Sequence, residues 1–227
     1  VCGLLWSTAG VLIKLLPWNA LVIAGLRSTL AAAVLYADLL LRQKKAKPVI
    51  SRSTLTAGFF LGATMLLFVT ANKLTTAANA IVLQSTATVF VVLYSALFLG
   101  ERPSRRDLTA VFLVLGGIVL YFLDQLSPTG LIGNCLGLLS AVTFAGVFLT
   151  SSGAADEHAS TSGLILGQLF CAAVSVPFFF LYPPEMTSVR IGTILFLGIF
   201  QLGLAYVLFA RGSQLCPPIA MALASMV

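Results

Sequence analysis

Charged side chains are scarce in this sequence, since only 9% of its 227 residues are Asp, Glu, Lys or Arg. A soluble domain carries about 25% charged residues, which it needs to cover its surface. A disordered chain needs low hydrophobicity and high charge, whereas 59% of these residues are hydrophobic. The composition therefore excludes both classes and predicts a protein whose solvent is lipid.

Residues that commonly bind metals or cofactors are also rare. The only histidine is His158, the four cysteines stand singly within apolar runs, and no CxxC pair occurs. The sequence thus indicates neither a zinc site nor a disulfide framework. No GxxxxGK[ST] loop and no HExxH motif occurs. We therefore expect no metal and no cofactor, and a primary pump only if another chain supplies the ATPase.

Long apolar runs make up most of the chain. A membrane-spanning helix needs about 20 consecutive apolar residues, and the strands of a barrel would instead alternate polar and apolar residues. A ninth run begins at Ile219, and eight runs of suitable length precede it, at residues 1–16, 20–41, 55–72, 77–99, 108–123, 131–150, 162–182 and 191–210. The sequence therefore predicts an all-α, polytopic helical membrane protein.

Basic residues are distributed unevenly among the loops between these runs. Residues 42–53 and 100–107, with Arg211, hold nine Lys or Arg, whereas the opposite loops hold Lys73 and Arg190. Cytoplasmic loops collect positive charge. We therefore expect a multi-pass protein of the plasma membrane in which the loops that hold the nine basic residues face the cytoplasm. This distribution explains the net charge of +6 without a nucleic-acid partner. We expect Lys73 to be solvated in an outer loop.

Two segments of the first half recur in the second half. Residues 6–11 (WSTAGV) resemble residues 142–147 (VTFAGV), and residues 73–79 (KLTTAAN) resemble residues 214–220 (QLCPPIA). Both offsets agree with a unit of five spans, and an odd number of spans inverts the second copy. We therefore predict two inverted five-helix repeats, 1–124 and an incomplete 128–227, in a ten-span molecule of which this chain is a fragment.

The first half also carries motifs that resemble those of a known family. Residues 5–14 (LWSTAGVLIK), Arg27, residues 71–80 (ANKLTTAANA) and residues 99–104 (LGERPS) follow in order, and a glycine pair at 116–117 lies in the fifth run. In order and spacing they resemble the EamA-type members of the drug/metabolite transporter superfamily. The resemblance implies ten helices in two inverted halves, a central cavity, and export or exchange of small metabolites.

Arg27 is the first candidate for substrate binding. It lies about seven residues into the second run, roughly 10 Å deep, where a charge costs about 2.5–3.5 kcal/mol and usually faces the bundle interior. It can bind a substrate carboxylate, or instead snorkel outward or cap backbone carbonyls. All seven acidic residues lie at run ends or in loops, so we do not expect a proton relay through a buried carboxylate.

The other candidates are uncharged amides and aromatic residues within the runs. Amides recognise polar groups without a charge cost, and aromatic walls suit a small-molecule cavity. Interhelical hydrogen bonds and ordinary packing are the alternative roles. The candidates are Gln84, Gln168, Gln201, Asn79, Trp6, Phe144 and Tyr206. The repeat alignment also predicts that Trp6 faces Phe144.

Three GxxxG pairs, at residues 58–62, 133–137 and 163–167, predict places where helices approach closely. They carry no information about the substrate. Their expected role is packing.

These features predict a secondary transporter, not an enzyme, that moves a small polar or amphipathic metabolite, such as an amino acid-like solute, by alternating access. The expected partners are the substrate and the lipid bilayer, and a homodimer is compatible with the sequence. An intramembrane enzyme, the first alternative, would need clustered acid–base or metal-binding residues at membrane depth. A structural or receptor-like protein without transport is the second alternative, and the repeat argues against it.

Overall fold

Helices account for all of the regular structure in the part of the chain that the structure, a computed structural model, describes: residues 2–98, 100, 104–123 and 130–224. In chain order they are α1 (Cys2–Ser7), α2 (Ala9–Leu15), α3 (Ala20–Leu41), α4 (Arg52–Leu74), α5 (Ala77–Ser85), α6 (Ala87–Phe98), α7 (Arg105–Leu123), α8 (Leu131–Ser152), α9 (Glu157–Leu181), α10 (Ser188–Leu195), a π-helical segment (Phe196–Leu204), α11 (Ala205–Ser213) and α12 (Pro218–Ala224). The predicted all-α class is confirmed.

Six stretches within the described residues are helical, long and apolar enough to cross a membrane: Ala20–Leu41, Arg52–Leu74, Ala77–Phe98, Leu131–Ser152, Glu157–Leu181 and Ser188–Ser213. The first and fifth predicted runs correspond to shorter apolar helices, Cys2–Leu15 and Leu108–Tyr121. The predicted run 20–41 matches α3 residue for residue. The proposed boundary between the two halves, at 124–128, lies outside the described residues.

Polar side chains fix the start of several helices. The Asn19 Oδ1 atom accepts a hydrogen bond from the Leu21 amide at the start of α3. Ser51 and Thr54 form a capping box at the start of α4, and Asp156 accepts from the Ala159 amide at the start of α9. Each cap satisfies amide groups that have no partner within the helix. The loops before these helices therefore end at defined residues.

Helix α4 lies between α8 and α9, and α3 packs against α9 and the π-helical segment. Two of the GxxxG pairs meet where α4 crosses α9: a Cβ atom added at Gly167 would lie 2.8 Å from the Gly58 carbonyl oxygen, and one at Gly58 would lie 3.1 Å from the Gly167 amide nitrogen. Gly133 lies equally close to Thr75. The predicted packing role of the GxxxG pairs is therefore confirmed.

Loops at one end of the bundle are joined by ion pairs. Arg42 binds both Asp38 and Glu157, and Arg211 binds Asp38 at 3.1 Å. These contacts bring the ends of α3 and α11 to the start of α9. The loops at these three places follow the second, eighth and sixth predicted runs, so the predicted spans put them on the same side of the membrane. Hydrogen bonds to Asp38 and then to Glu157 raise the pKa of the Arg42 guanidinium.

The opposite end is joined by hydrogen bonds to backbone carbonyls. The Trp18 indole Nε1 atom donates to the Glu185 carbonyl oxygen at 3.2 Å. Lys73 was expected to be solvated in a loop, and that expectation is wrong: it lies in the last turn of α4, is half-buried, and its Nζ atom donates to the Leu16 carbonyl. The Leu16 carbonyl, at the end of α2, has no partner within the helix, and it is therefore free to accept the hydrogen bond from Lys73.

Candidate functional site

A cavity lies between helices of the two proposed halves. Two adjoining voids share Trp6, Phe68, Gln84 and Phe144 in their walls, and we call their union the central cavity. The void that Arg27 also lines holds about 50 Å³ of space open to a water-sized molecule, and the adjoining one holds about 140 Å³. The described residues therefore leave a narrow space between the two proposed halves.

Interruptions in three spans lie beside this cavity. The first span is interrupted at Thr8 and the fourth at Thr86, and both threonine hydroxyls donate to the carbonyl three residues earlier, those of Leu5 and Leu83. Such local bonds compete with the regular helix. The π-helical segment interrupts the eighth span and carries Gln201. Broken helices and π-turns are common at functional sites in membrane proteins.

Arg27 lines the central cavity although it is only 1% exposed. Its Nε and Nη1 atoms are buried without a hydrogen-bond partner, and none of the described residues forms an ion pair with it. A buried charge is normally paired, because leaving it unpaired costs several kcal/mol. The arrangement therefore offers a guanidinium to an anionic group that enters the cavity.

Aromatic rings form one wall of the cavity. The Trp6 ring centroid lies 5.5 Å from that of Phe144 and 5.4 Å from that of Tyr206. Phe144 in turn lies 4.8 Å from Phe148. The predicted contact between Trp6 and Phe144 is thus confirmed. The cluster presents apolar ring surface beside the single guanidinium of Arg27.

The four candidate amides divide into two groups. Gln84 and Gln201 line the central cavity, and the Gln201 Oε1 atom is buried without a partner. Gln168 is fully buried, and neither atom of its amide has a partner, but it is not among the residues that line the cavity. Asn79 lies away from the cavity and accepts a 2.8 Å hydrogen bond from the Tyr121 hydroxyl.

Several wall residues were not predicted from the sequence. Phe68 and Met65 of α4, Phe148 of α8, and Gly3 and Ser7 of α1 all line the cavity. An apolar side chain within an apolar run carries no signal that separates a cavity wall from lipid contact. Among the described residues, no group of three or more His, Cys, Asp or Glu is placed to hold a metal ion.

Comparison with known proteins identifies the family of the chain. Residues 1–123, more than half of the chain, match the EamA-like transporter family. The chain belongs to that family. The family match and the long apolar helices together identify it as an integral membrane protein.

One curated relative of this EamA-family chain is an uncharacterized transporter of Archaeoglobus fulgidus, 36% identical over 69 residues. The matched segment covers 30% of this chain and 25% of that relative. A protein of known crystal structure superposes with a TM-score of 0.78 and 20% identity, covering 99% of this chain and 80% of the other. At that identity the likeness concerns the fold.

Proposed function

We propose that this protein is a secondary transporter that moves a small anionic or zwitterionic metabolite across the plasma membrane, by export or exchange. The proposal rests on Arg27, a buried guanidinium that lines the central cavity without a counter-ion among the described residues. A substrate carboxylate or phosphate supplies the missing charge, and it does so in the paired hydrogen-bond geometry that guanidinium favours.

We infer that transport proceeds by alternating access between two inverted halves. Trp6, Arg27 and Gln84 come from residues 1–124, whereas Phe144 and Gln201 come from residues 128–227, so both proposed halves contribute to one cavity. In transporters built from inverted repeats, the substrate lies at the repeat interface, and movement of one half against the other exposes it to each side in turn. The position of the cavity supports this mechanism.

Uptake into liposomes tests the role of Arg27. A screen of radiolabelled metabolites first identifies a transported solute, and uptake is then compared for Arg27→Lys and Arg27→Gln after normalisation to monodisperse protein. We expect Arg27→Lys to lower normalised uptake about tenfold, because a loss of about 1.4 kcal/mol of directed hydrogen bonding corresponds to a factor of ten. Arg27→Gln should lower it further, because the charge is also lost.

Arg190→Gln is the matched control, since Arg190 lies at a bundle end and pairs with the exposed Glu185. It should leave normalised uptake unchanged. A structural role for Arg27 predicts a different result, in which both Arg27 variants lower the yield of folded protein while uptake per folded molecule stays the same. That result would refute the proposed binding role.

A further inference from the structure

The charges around the central cavity indicate a narrower class of substrate than the anionic or zwitterionic metabolite proposed above. This inference rests on the proposed function. Arg27 is the single charged side chain among the described residues that line the cavity. We propose that the substrate is an organic monoanion, a carboxylate with an apolar ring or chain and no ammonium group. This preference for a monoanion follows from the charged and aromatic residues of the cavity wall and from the ion pairs that the described carboxylates form elsewhere.

The described carboxylates are occupied at the ends of the bundle. Asp38 and Glu157 bind Arg42, and Glu185 binds Arg190 at 2.8 Å. Asp156 caps the start of α9 through the Ala159 amide. None of these groups lines the central cavity. An ammonium that entered the cavity would therefore lose its water without gaining an anionic partner among the described residues, which is costly for a charged group.

The neutral amides do not compensate for this loss. Gln201 presents a buried Oε1 acceptor without a partner, and Gln84 also lines the wall. An amide oxygen can accept a hydrogen bond from a hydroxyl or an N–H group, but it carries no net charge to balance an ammonium. With the described wall residues as its partners, a bound zwitterion would keep one uncompensated positive charge, whereas a monoanion would be balanced by Arg27.

The number of cations in the wall also limits the charge of the anion. A dianionic phosphate monoester would bring two negative charges to the guanidinium of Arg27, and the other described wall residues supply no second cation to balance them. A carboxylate brings one. The aromatic surface of Trp6, Phe144 and Tyr206 lies in the same wall, so the rest of the substrate buries apolar or ring surface against it.

Equilibrium binding to the purified protein, measured by isothermal titration calorimetry, tests this inference with probes that share one phenyl group. The probes are 3-phenylpropanoate (monoanion), L-phenylalanine (zwitterion), 2-phenylethylamine (cation) and phenyl phosphate (dianion), with propanoate as the acid that lacks the ring. We expect 3-phenylpropanoate to bind at least tenfold more tightly than each of the other four. Arg27→Gln should abolish this binding, and Arg190→Gln should leave it unchanged.

Equal or tighter binding of L-phenylalanine would overturn the monoanion preference while leaving a carboxylate-binding Arg27, and with it the proposed function, intact. Propanoate binding as tightly as 3-phenylpropanoate would refute the role of the aromatic wall. Binding of none of the probes would likewise overturn the inference, because the inference requires a ligand that has both one carboxylate and an apolar group, and 3-phenylpropanoate has both. Failure of the proposed function is separate, since it would be seen as 3-phenylpropanoate binding without uptake into liposomes.

Discussion

The Nε atom of Arg42 donates to the Asp38 Oδ1 atom at 2.7 Å, and the same guanidinium binds Glu157, which lies 115 residues further along the chain. Asp38 also accepts from Arg211 at 3.1 Å, and its side chain is only 10% exposed. This network joins the ends of α3 and α11 to the start of α9. Because one carboxylate is largely buried, removing one of its partners costs more stability than breaking a separate surface pair does.

We expect Arg42→Ala to lower the free energy of unfolding by about 1–3 kcal/mol, since the buried Asp38 then loses its two-bond partner. Thermal unfolding in detergent, followed by tryptophan fluorescence, measures the loss. Arg190→Ala is the control: it breaks a pair whose Glu185 side chain is 84% exposed, and it should cost less than about 1 kcal/mol. Equal losses in the two variants would contradict the role of the network.

Close packing of α4 on α9 gives a second prediction. A Cβ atom at Gly167 would lie 2.7 Å from the Leu61 Cβ atom and 2.8 Å from the Gly58 carbonyl oxygen, and the latter belongs to the backbone and cannot rotate away. Gly167→Ala should therefore destabilise the protein by about 1–3 kcal/mol. The midpoint of thermal unfolding in detergent reports the change.

Gly192→Ala is the matched control for this substitution. A Cβ atom at Gly192, within α10, would have no neighbour within 4 Å, so alanine should be neutral or stabilising by up to about 1 kcal/mol. A neutral Gly167→Ala would show that the two helices can separate without cost at this crossing.

Much of the helical framework could be predicted because it depends on local composition. The apolar run at residues 20–41 predicted the observed bounds of α3. The recurrence of residues 6–11 at 142–147 predicted the contact between Trp6 and Phe144. The interruptions at Thr8 and Thr86 were not predicted. Neither position carries glycine or proline, and threonine is common within membrane helices, so the sequence gives no signal of a break there.

The candidate site could be predicted only in part, because an apolar span does not reveal which of its faces is turned inward. Gln84 and Gln201 line the cavity, but Gln168 is buried elsewhere and Asn79 bonds to Tyr121. All four are amides within apolar runs, and they differ in which face of its helix each one occupies and in where that face is turned. That rotation depends on contacts between helices distant in sequence.

Orientation in the membrane is a third prediction. Cysteines introduced at Lys45 and Met186, both exposed, can be labelled with a membrane-impermeant maleimide in intact cells once the four native cysteines are replaced. The excess of basic residues places Lys45 in the cytoplasm, so Lys45→Cys should react only after permeabilisation and Met186→Cys should react before it. Reaction of both from the same side would overturn the span count, and a reversed pattern would invert the orientation.

The fourth prediction separates two amides of the same span that lie five residues apart. The Asn79 Nδ2 atom donates to the Thr75 hydroxyl at 3.2 Å, and its Oδ1 atom accepts from Tyr121 at 2.8 Å, which ties α5 to α7. Gln84 lines the central cavity and makes no side-chain hydrogen bond to a described residue. The first amide is thus placed to hold helices together and the second to contact a substrate.

Asn79→Leu should lower the free energy of unfolding by about 1–3 kcal/mol, because it leaves buried polar groups unpaired, while the affinity of the remaining folded protein for 3-phenylpropanoate stays unchanged. Gln84→Leu should do the opposite: the free energy of unfolding stays within about 0.5 kcal/mol of the original, and the affinity falls about fivefold, the equivalent of about 1 kcal/mol. Thermal unfolding and calorimetric titration of both variants provide the four measurements. If Asn79→Leu weakens binding per folded molecule as much as Gln84→Leu does, the assignment of the two amides to separate roles is wrong.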